Sequence, residues 1–176
     1  MCIRDSHMTT TRLYLIRHGQ TAHSAADVFS GASNVDLADE GRRQATCLAQ
    51  RLAGEPIAAF YCSSLQRAIE TATLVAQPHG LTPTPVADLR EIDYGHWEGL
   101  PRAEVLARFG DEYTTWGRDP LTCAPRDGET GLAEMCIRDR PSSDRPNKTA
   151  SAVRFILLTL PVPTTASGTI SGGHYT

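Results

Sequence analysis

No stretch of the 176-residue chain approaches a membrane span: an apolar run such as Phe155–Leu158 is only a few residues, against the ~20 that a spanning helix needs. Charge of one sign is missing too. Seventeen basic and 20 acidic residues leave a net charge of −3, which gives no reason to expect nucleic acid or an anionic membrane as partner. The N-terminus has no basic region followed by an apolar core, so nothing points to secretion and a cytoplasmic protein is expected. The five cysteines (Cys2, Cys47, Cys62, Cys123, Cys136) form no CxxC pair and have no histidine at metal-ligand spacing. That favours reduced, mostly buried thiols over zinc or a disulfide framework. Walker loop, acidic metal cluster and HExxH are all absent, so neither a nucleotide nor a metal mechanism has support, and no cofactor or metal is expected. The length suits one domain with a sizeable core and sets no oligomeric state.

One internal repeat stands out. Met1-Cys2-Ile3-Arg4-Asp5 recurs verbatim as Met135-Cys136-Ile137-Arg138-Asp139. A repeat this short and this widely separated builds no solenoid. It resembles the translation of a transposon-end adapter used in preparing sequencing libraries. The expected organisation is therefore residues 1–7 as artefact, a domain over 8–134 starting at Met8, and 135–176 as adapter plus a foreign or disordered tail. Composition agrees: residues 141–176 are dominated by Ser, Thr, Pro and Gly. Their one apolar patch, Val153–Leu160, could be a strand, but Pro161 and Pro163 close it and no amphipathic helix follows.

Between Met8 and Glu134 strand and helix patterns alternate. Thr11–Ile16 reads as a strand buried on both faces, and Gln20–Leu37 as a long loop. Asp39 caps a helix from Glu40, with Ala45, Leu48, Ala49 and Leu52 on one face and Gly54 beyond its end. Ile57–Cys62 is a second strand. Ser63 or Ser64 caps a second helix with Ala68, Ala72, Val75 and Ala76 inward, ending before Pro78. Val86–Leu89 is short and extended. Pro101 opens a third helix with Val105, Leu106 and Phe109 inward and Gly110 as terminator. This order predicts an α/β fold, a parallel sheet with helices on both faces.

The chemistry concentrates where the first apolar run, Leu13-Tyr14-Leu15-Ile16, stops at Arg17-His18-Gly19. The carboxyl ends of strands in open α/β sheets are where ligands bind, and here they would carry a nucleophile-capable imidazole beside a phosphate-capable guanidinium. Three further segments agree: Ser63-Ser64-Leu65-Gln66-Arg67-Ala68 with Glu70-Thr71-Ala72; Leu89-Arg90-Glu91-Ile92-Asp93-Tyr94-Gly95 with Trp97-Glu98-Gly99; and Asp36-Leu37 with Gly41 and Gln44-Ala45. A guanidinium fork matches phosphate bidentately and keeps its charge, so Arg17 and Arg67 suit a phosphoryl clamp. Arg67 stands at a strand-to-helix junction, where anions are also attracted. Glu91, Asp93 and Glu98 are three neighbouring carboxylates that the residues alone do not rank as proton donor.

In this order and spacing the segments resemble the histidine phosphatase superfamily, the phosphoglycerate-mutase-like enzymes, over roughly Arg12 to Thr130. Ile92-Asp93-Tyr94-Gly95-His96-Trp97-Glu98-Gly99 is most similar to small bacterial phosphatases, including the α-ribazole phosphatase group. The resemblance implies a three-layer α/β/α domain with a mostly parallel sheet, incomplete at the C-terminus. It also implies hydrolysis of a small phosphorylated metabolite through a phosphohistidine on His18. Among the carboxylates it assigns the acid to Glu91. Gly19, Gln20, Thr21 and Ser24 would line the loop after the nucleophile, Ser24 standing where mutases carry Asn; Ser30 and Gly31 match a substrate loop. Trp97 and Trp116 are expected in core or pocket wall, His23 and His96 at the rim, and the thiols Cys47, Cys62 and Cys123 as structural. A second pocket histidine, carried by a Ser-His-Gly-type motif after a late strand beside the nucleophile's own, is not found. Gly172-Gly173-His174 has the wrong order. A phosphoglycerate mutase is the alternative within the same class, and a non-catalytic chimera that at most binds phosphate or a partner is the alternative outside it.

Overall fold

Alternating apolar segments build a four-stranded sheet in a computed structural model that describes residues 12–133 and the backbone of residues 153–157. In chain order the elements are β1 (Leu13–Leu15), the single turn α1 (Ala22–Ala25), α2 (Asp39–Leu52), β2 (Ile57–Ser63), α3 (Gln66–Ala76), β3 (Thr84–Val86), α4 (Arg102–Arg118) and β4 (Val153–Leu157). The sheet order is β1-β4-β2-β3, and every pairing is parallel, with Tyr14 opposite Phe155 and Tyr61 opposite both Ile156 and Thr84. The α/β class with a parallel sheet is therefore as the sequence implies. Its carboxyl edge gathers the ends of β1 and β2, which carry His18 and Arg67.

One expectation changes at β4. The patch set aside with the tail supplies, over Val153–Leu157, the strand between β1 and β2, so the exclusion of 135–176 from the fold does not extend to these five residues. Five β-prone residues with few local alternatives were enough once two strands left a gap between them. The adapter-like copies, the rest of the tail and His174 lie outside the described residues.

The helices pack as their periodicity dictates, with corrections at their ends. Ala45, Ala49 and Leu52 of α2 and Val75 and Ala76 of α3 are buried. With Phe60, Tyr14 and Ile16 they form the core on one face of the sheet. On the opposite face Leu13 and Leu15 stay 51% and 58% exposed; no helix among the described residues covers them. Asp39 is not the cap of α2 but its first residue, where its carboxylate pairs with Arg42 at 3.1 Å and favours the helix's positive end. Neither Ser63 nor Ser64 caps α3. The N-cap is Leu65 without a side-chain bond, and Asn34 Oδ1 accepts from Gln66 N–H at 2.7 Å instead. The third helix breaks at Phe109 (φ −132°, ψ 34°), beside the expected terminator Gly110, and a helical segment resumes beyond it to Arg118. The resumed segment brings Tyr113 and Trp116 onto the rings of Phe29, Tyr94 and Trp97. Leu106, expected inward, is 46% exposed, whereas Val105 is fully buried. Of the described thiols only Cys62 is buried, its pKa pushed up to about 11 by that burial; Cys47 is exposed. No helix among the described residues is long and apolar enough to cross a membrane.

Candidate active site

His18 follows β1 by three residues and is held by its own neighbour: Nδ1–H donates to Gly19 O at 2.7 Å. A carbonyl can only accept, so the proton sits on Nδ1 and Nε2 of the neutral ring keeps its lone pair. Burial lowers the imidazole pKa to about 4; the Gly19 bond opposes that shift, and the positive charges of Arg67 and Arg17 reinforce it. His18 is accordingly neutral at physiological pH, the form a nucleophile needs.

The loop after His18 is clamped against the start of α2. A Cβ on Gly19 would stand 2.4 Å from Gly41 O, and one on Gly41 would stand 2.1 Å from Gln20 O, so both positions require glycine. Ala38 N–H donates to Gln20 O at 2.9 Å, and Gln20 N–H donates to Gln44 Oε1 at 3.1 Å. Gly19 N–H donates to Thr71 Oγ1 at 3.1 Å, whose hydroxyl donates to Arg67 O at 2.7 Å, tying the loop after β1 to the first turns of α3. Thr21 and Ser24 use their hydroxyls on each other. Ser24 N–H donates to Thr21 Oγ1 and Thr21 N–H to Ser24 Oγ, a capping box around α1.

Arg67 is fully buried rather than the solvated helix residue its position alone would suggest. Its Nη1 donates to Ser33 O at 2.7 Å, and its Nη2 donates to Gly31 O at 2.7 Å and Ser30 O at 3.1 Å. Its Nε–H has no partner. Three carbonyls thus take three of the five guanidinium protons, at the distal end of the fork, and leave Nε–H among the unused ones. Burial lowers the guanidinium pKa, opposed by Glu91 and Glu98 and aided by Arg17; an arginine keeps its charge regardless. Arg17 is exposed and has no ion pair among the described residues. Ser30 and Gly31 therefore meet Arg67 by their carbonyls.

The three carboxylates separate clearly. Asp93 Oδ1 accepts from Gly95 N–H at 2.8 Å, closing a local turn. Glu98 turns away toward the 31–33 loop. Glu91 is buried, 4% exposed, within electrostatic reach of Arg67. The segment around Glu91 is fastened by Glu129, which pairs with Arg90, accepts from Asp93 N–H at 3.2 Å and donates its own N–H to Asp93 O at 2.8 Å. No motif or periodicity in the sequence singles out Glu129, and Glu98 stands there only as a rival acid. Gln44 and Thr71 lie inside the matching segments without an assigned role. His96 is half-buried: its ring meets Phe109 edge-on at 4.5 Å and its Nδ1–H donates to Arg126 O at 2.8 Å. Trp97 is wholly buried in the aromatic core.

The chain is 35% identical over 123 residues to a glucosyl-3-phosphoglycerate phosphatase of Mycolicibacterium vanbaalenii, covering 70% of this chain and 54% of that one. It is 31% identical over 118 residues to the adenosylcobalamin/alpha-ribazole phosphatase of Salmonella typhimurium, covering 67% and 58%. A solved mycobacterial glucosyl-3-phosphoglycerate phosphatase in complex with inorganic phosphate superposes with a TM-score of 0.63 at 27% identity, covering 88% of this chain and 82% of that one. The chain spans between 37% and 59% of the length of the curated relatives it matches. The family profile of the histidine phosphatase superfamily, branch 1, matches residues 13–144, and the chain belongs to that superfamily.

Proposed function

We propose that this site hydrolyses a small phosphomonoester through a phosphohistidine on His18. Arg17 and Arg67 bind the phosphoryl oxygens, and the Gly19-Gln20-Thr21-Ser24 turn and the Ser30-Gly31 loop shape the cavity around them. His18 Nε2 attacks phosphorus and the P–O ester bond breaks, while Glu91 gives its proton to the departing oxygen. Water then attacks the phosphohistidine, Glu91 takes a proton from it, and inorganic phosphate leaves with His18 restored. Positioning and charge neutralisation supply most of the rate in such a transfer. Asp93 and Glu98 are committed to backbone amides, and this supports Glu91 as the acid.

The observation that carries the reading is the imidazole oriented by Gly19 O, with its pKa lowered to about 4 by burial first and then by the charges of Arg67 and Arg17. Substrates named for the relatives, a glucosylated phosphoglycerate and an α-ribazole phosphate, support phosphorylated metabolites as candidates. A second reading has one observation behind it. The chain continues from β4 as Leu158-Thr159-Leu160 and brings no second pocket histidine there, which favours phosphate binding without turnover. Incubation with a chromogenic phosphate ester decides: hydrolysis by the wild type and none by His18→Ala supports the phosphatase, and phosphate binding without hydrolysis in both supports the second reading.

A further inference from the structure

Glu98 has an unusual set of partners. Its Oε1 accepts from Gly31 N–H at 2.8 Å, Ala32 N–H at 3.0 Å and Tyr94 N–H at 3.1 Å. Its Oε2 accepts from Ser33 N–H at 3.2 Å and from the Ser33 hydroxyl. One carboxylate therefore gathers three successive amides of the 31–33 loop and one amide from the segment that bears Glu91. Charge-assisted bonds of this kind are about twice as strong as neutral ones.

Two consequences follow from the geometry. With its amides turned toward Glu98, the loop presents the carbonyls of Ser30, Gly31 and Ser33 to Arg67, and these three oxygens are what hold its Nη atoms. The loop also lies directly on the Glu91 segment: a Cβ on Gly31 would fall 1.8 Å from Ile92 O and 2.9 Å from Glu98 Oε1. A negative charge is thus placed on the far side of a peptide layer from a buried cation, joined to it through aligned peptide dipoles rather than by direct contact.

We propose that Glu98 is the positioning residue of the phosphate site: it orders the 31–33 loop so that the loop's carbonyls aim Arg67, with Nε–H free, at the bound phosphoryl group. Glu98 does not touch substrate. It acts through Arg67, and by its bond to Tyr94 N–H it sets the spacing between the arginine and the Glu91 segment. A glutamine at this position keeps the shape but puts an NH2 where Oε2 or Oε1 must accept, so it expels at least one loop amide. This inference rests on the proposed phosphate-binding role of Arg67.

The test is a double-mutant cycle read by binding of inorganic phosphate to the full chain, with wild type, Glu98→Gln, Arg67→Lys and the double variant. Glu98→Gln should weaken phosphate binding by about tenfold to a hundredfold, the range for misdirecting one charge-assisted bond. In the Arg67→Lys background the same substitution should cost less than about threefold, because the partner it positions is gone. Amide hydrogen exchange supplies the second readout, with faster exchange in Glu98→Gln confined to residues 31–33 and 94. Equal losses in both backgrounds, or exchange accelerated throughout the chain, would overturn the inference and leave Glu98 a general structural residue. A wild type that binds no phosphate overturns it together with the phosphatase reading. Phosphate binding with the expected coupling but no hydrolysis overturns only turnover.

Discussion

Around Arg67 the chain is joined by hydrogen bonds to charged groups: three carbonyls on the guanidinium, four amides and a hydroxyl on Glu98, and a carboxylate from Glu129 pinning the Glu91 segment. A few residues away, around Phe29, the joints are rings. Phe29 meets Tyr94 at 5.1 Å, Trp97 at 5.3 Å and Trp116 at 6.4 Å between centroids. The regions share the strand-like segment at Phe29, whose N–H donates to Leu100 O at 3.0 Å and whose carbonyl accepts from Gly99 N–H at 2.8 Å. Ring packing is non-directional and scales with buried area, so it supplies stability. Fixed hydrogen bonds to buried charges supply direction at a cost in desolvation. The 30–33 loop needs both: Phe29 anchors its entry and Glu98 its middle.

Substitutions should therefore split between the two regions. Trp116→Ala removes a ring that meets Phe29, Tyr94, Trp97 and Tyr113. Its indole N–H has no partner to orphan, so it should lower unfolding free energy by about 3 kcal/mol while the folded fraction binds phosphate about as before. Denaturant titration with phosphate binding checks both halves, and a large loss of affinity would break the distinction.

The next effect belongs to His18 and is a function of pH. Its folded pKa of about 4 lies below the ordinary value of 6.5, so the unfolded chain takes up the proton first as pH falls. The cost is absent above about pH 6.5, grows between there and about pH 4, and is constant below; it amounts to about 3 kcal/mol. His18→Ala should lack this component, and the wild-type and variant stability curves should converge toward low pH. Parallel curves across that window would contradict the buried, neutral imidazole.

Arg67→Lys should weaken inorganic phosphate binding by more than about tenfold, since an ammonium cannot serve three carbonyls and a phosphate together. Arg17→Lys, with an exposed and more screened side chain, should cost less. The reverse order would sharpen the comparison against the buried arginine. Smallest of all, Leu106→Ala on the exposed flank of α4 should stay within about 0.5 kcal/mol of wild type in thermal or denaturant unfolding.

Local pattern made much of this legible. The inward faces of α2 and α3, the strand before His18 and the Arg67 junction follow from periodicity and from an apolar run ending in charged residues. What escaped was decided at a distance. Asn34 caps α3 across 32 residues, so no Ser near the helix start was needed. The break beside Gly110 was legible, but not the helical segment after it, whose Tyr113 and Trp116 pack on rings far back in the chain. The Val153–Leu160 patch could be read as a strand, but its place in the sheet could not, because its partners lie more than 90 residues back. For Glu98 the Trp97-Glu98-Gly99 segment was a signal, but not its purpose: the carboxylate's partners at 31–33 are 65 to 67 residues away. The Glu129 contact to Asp93 spans 36.

The most direct test of the central claim is chemical. The chain is incubated with a phosphomonoester labelled in its phosphoryl group, quenched under denaturing alkaline conditions, and mapped by mass spectrometry. The phosphohistidine account predicts alkali-stable, acid-labile phosphate on His18 of the wild type and none in His18→Ala. An unlabelled wild type, or label that persists in His18→Ala, would contradict it.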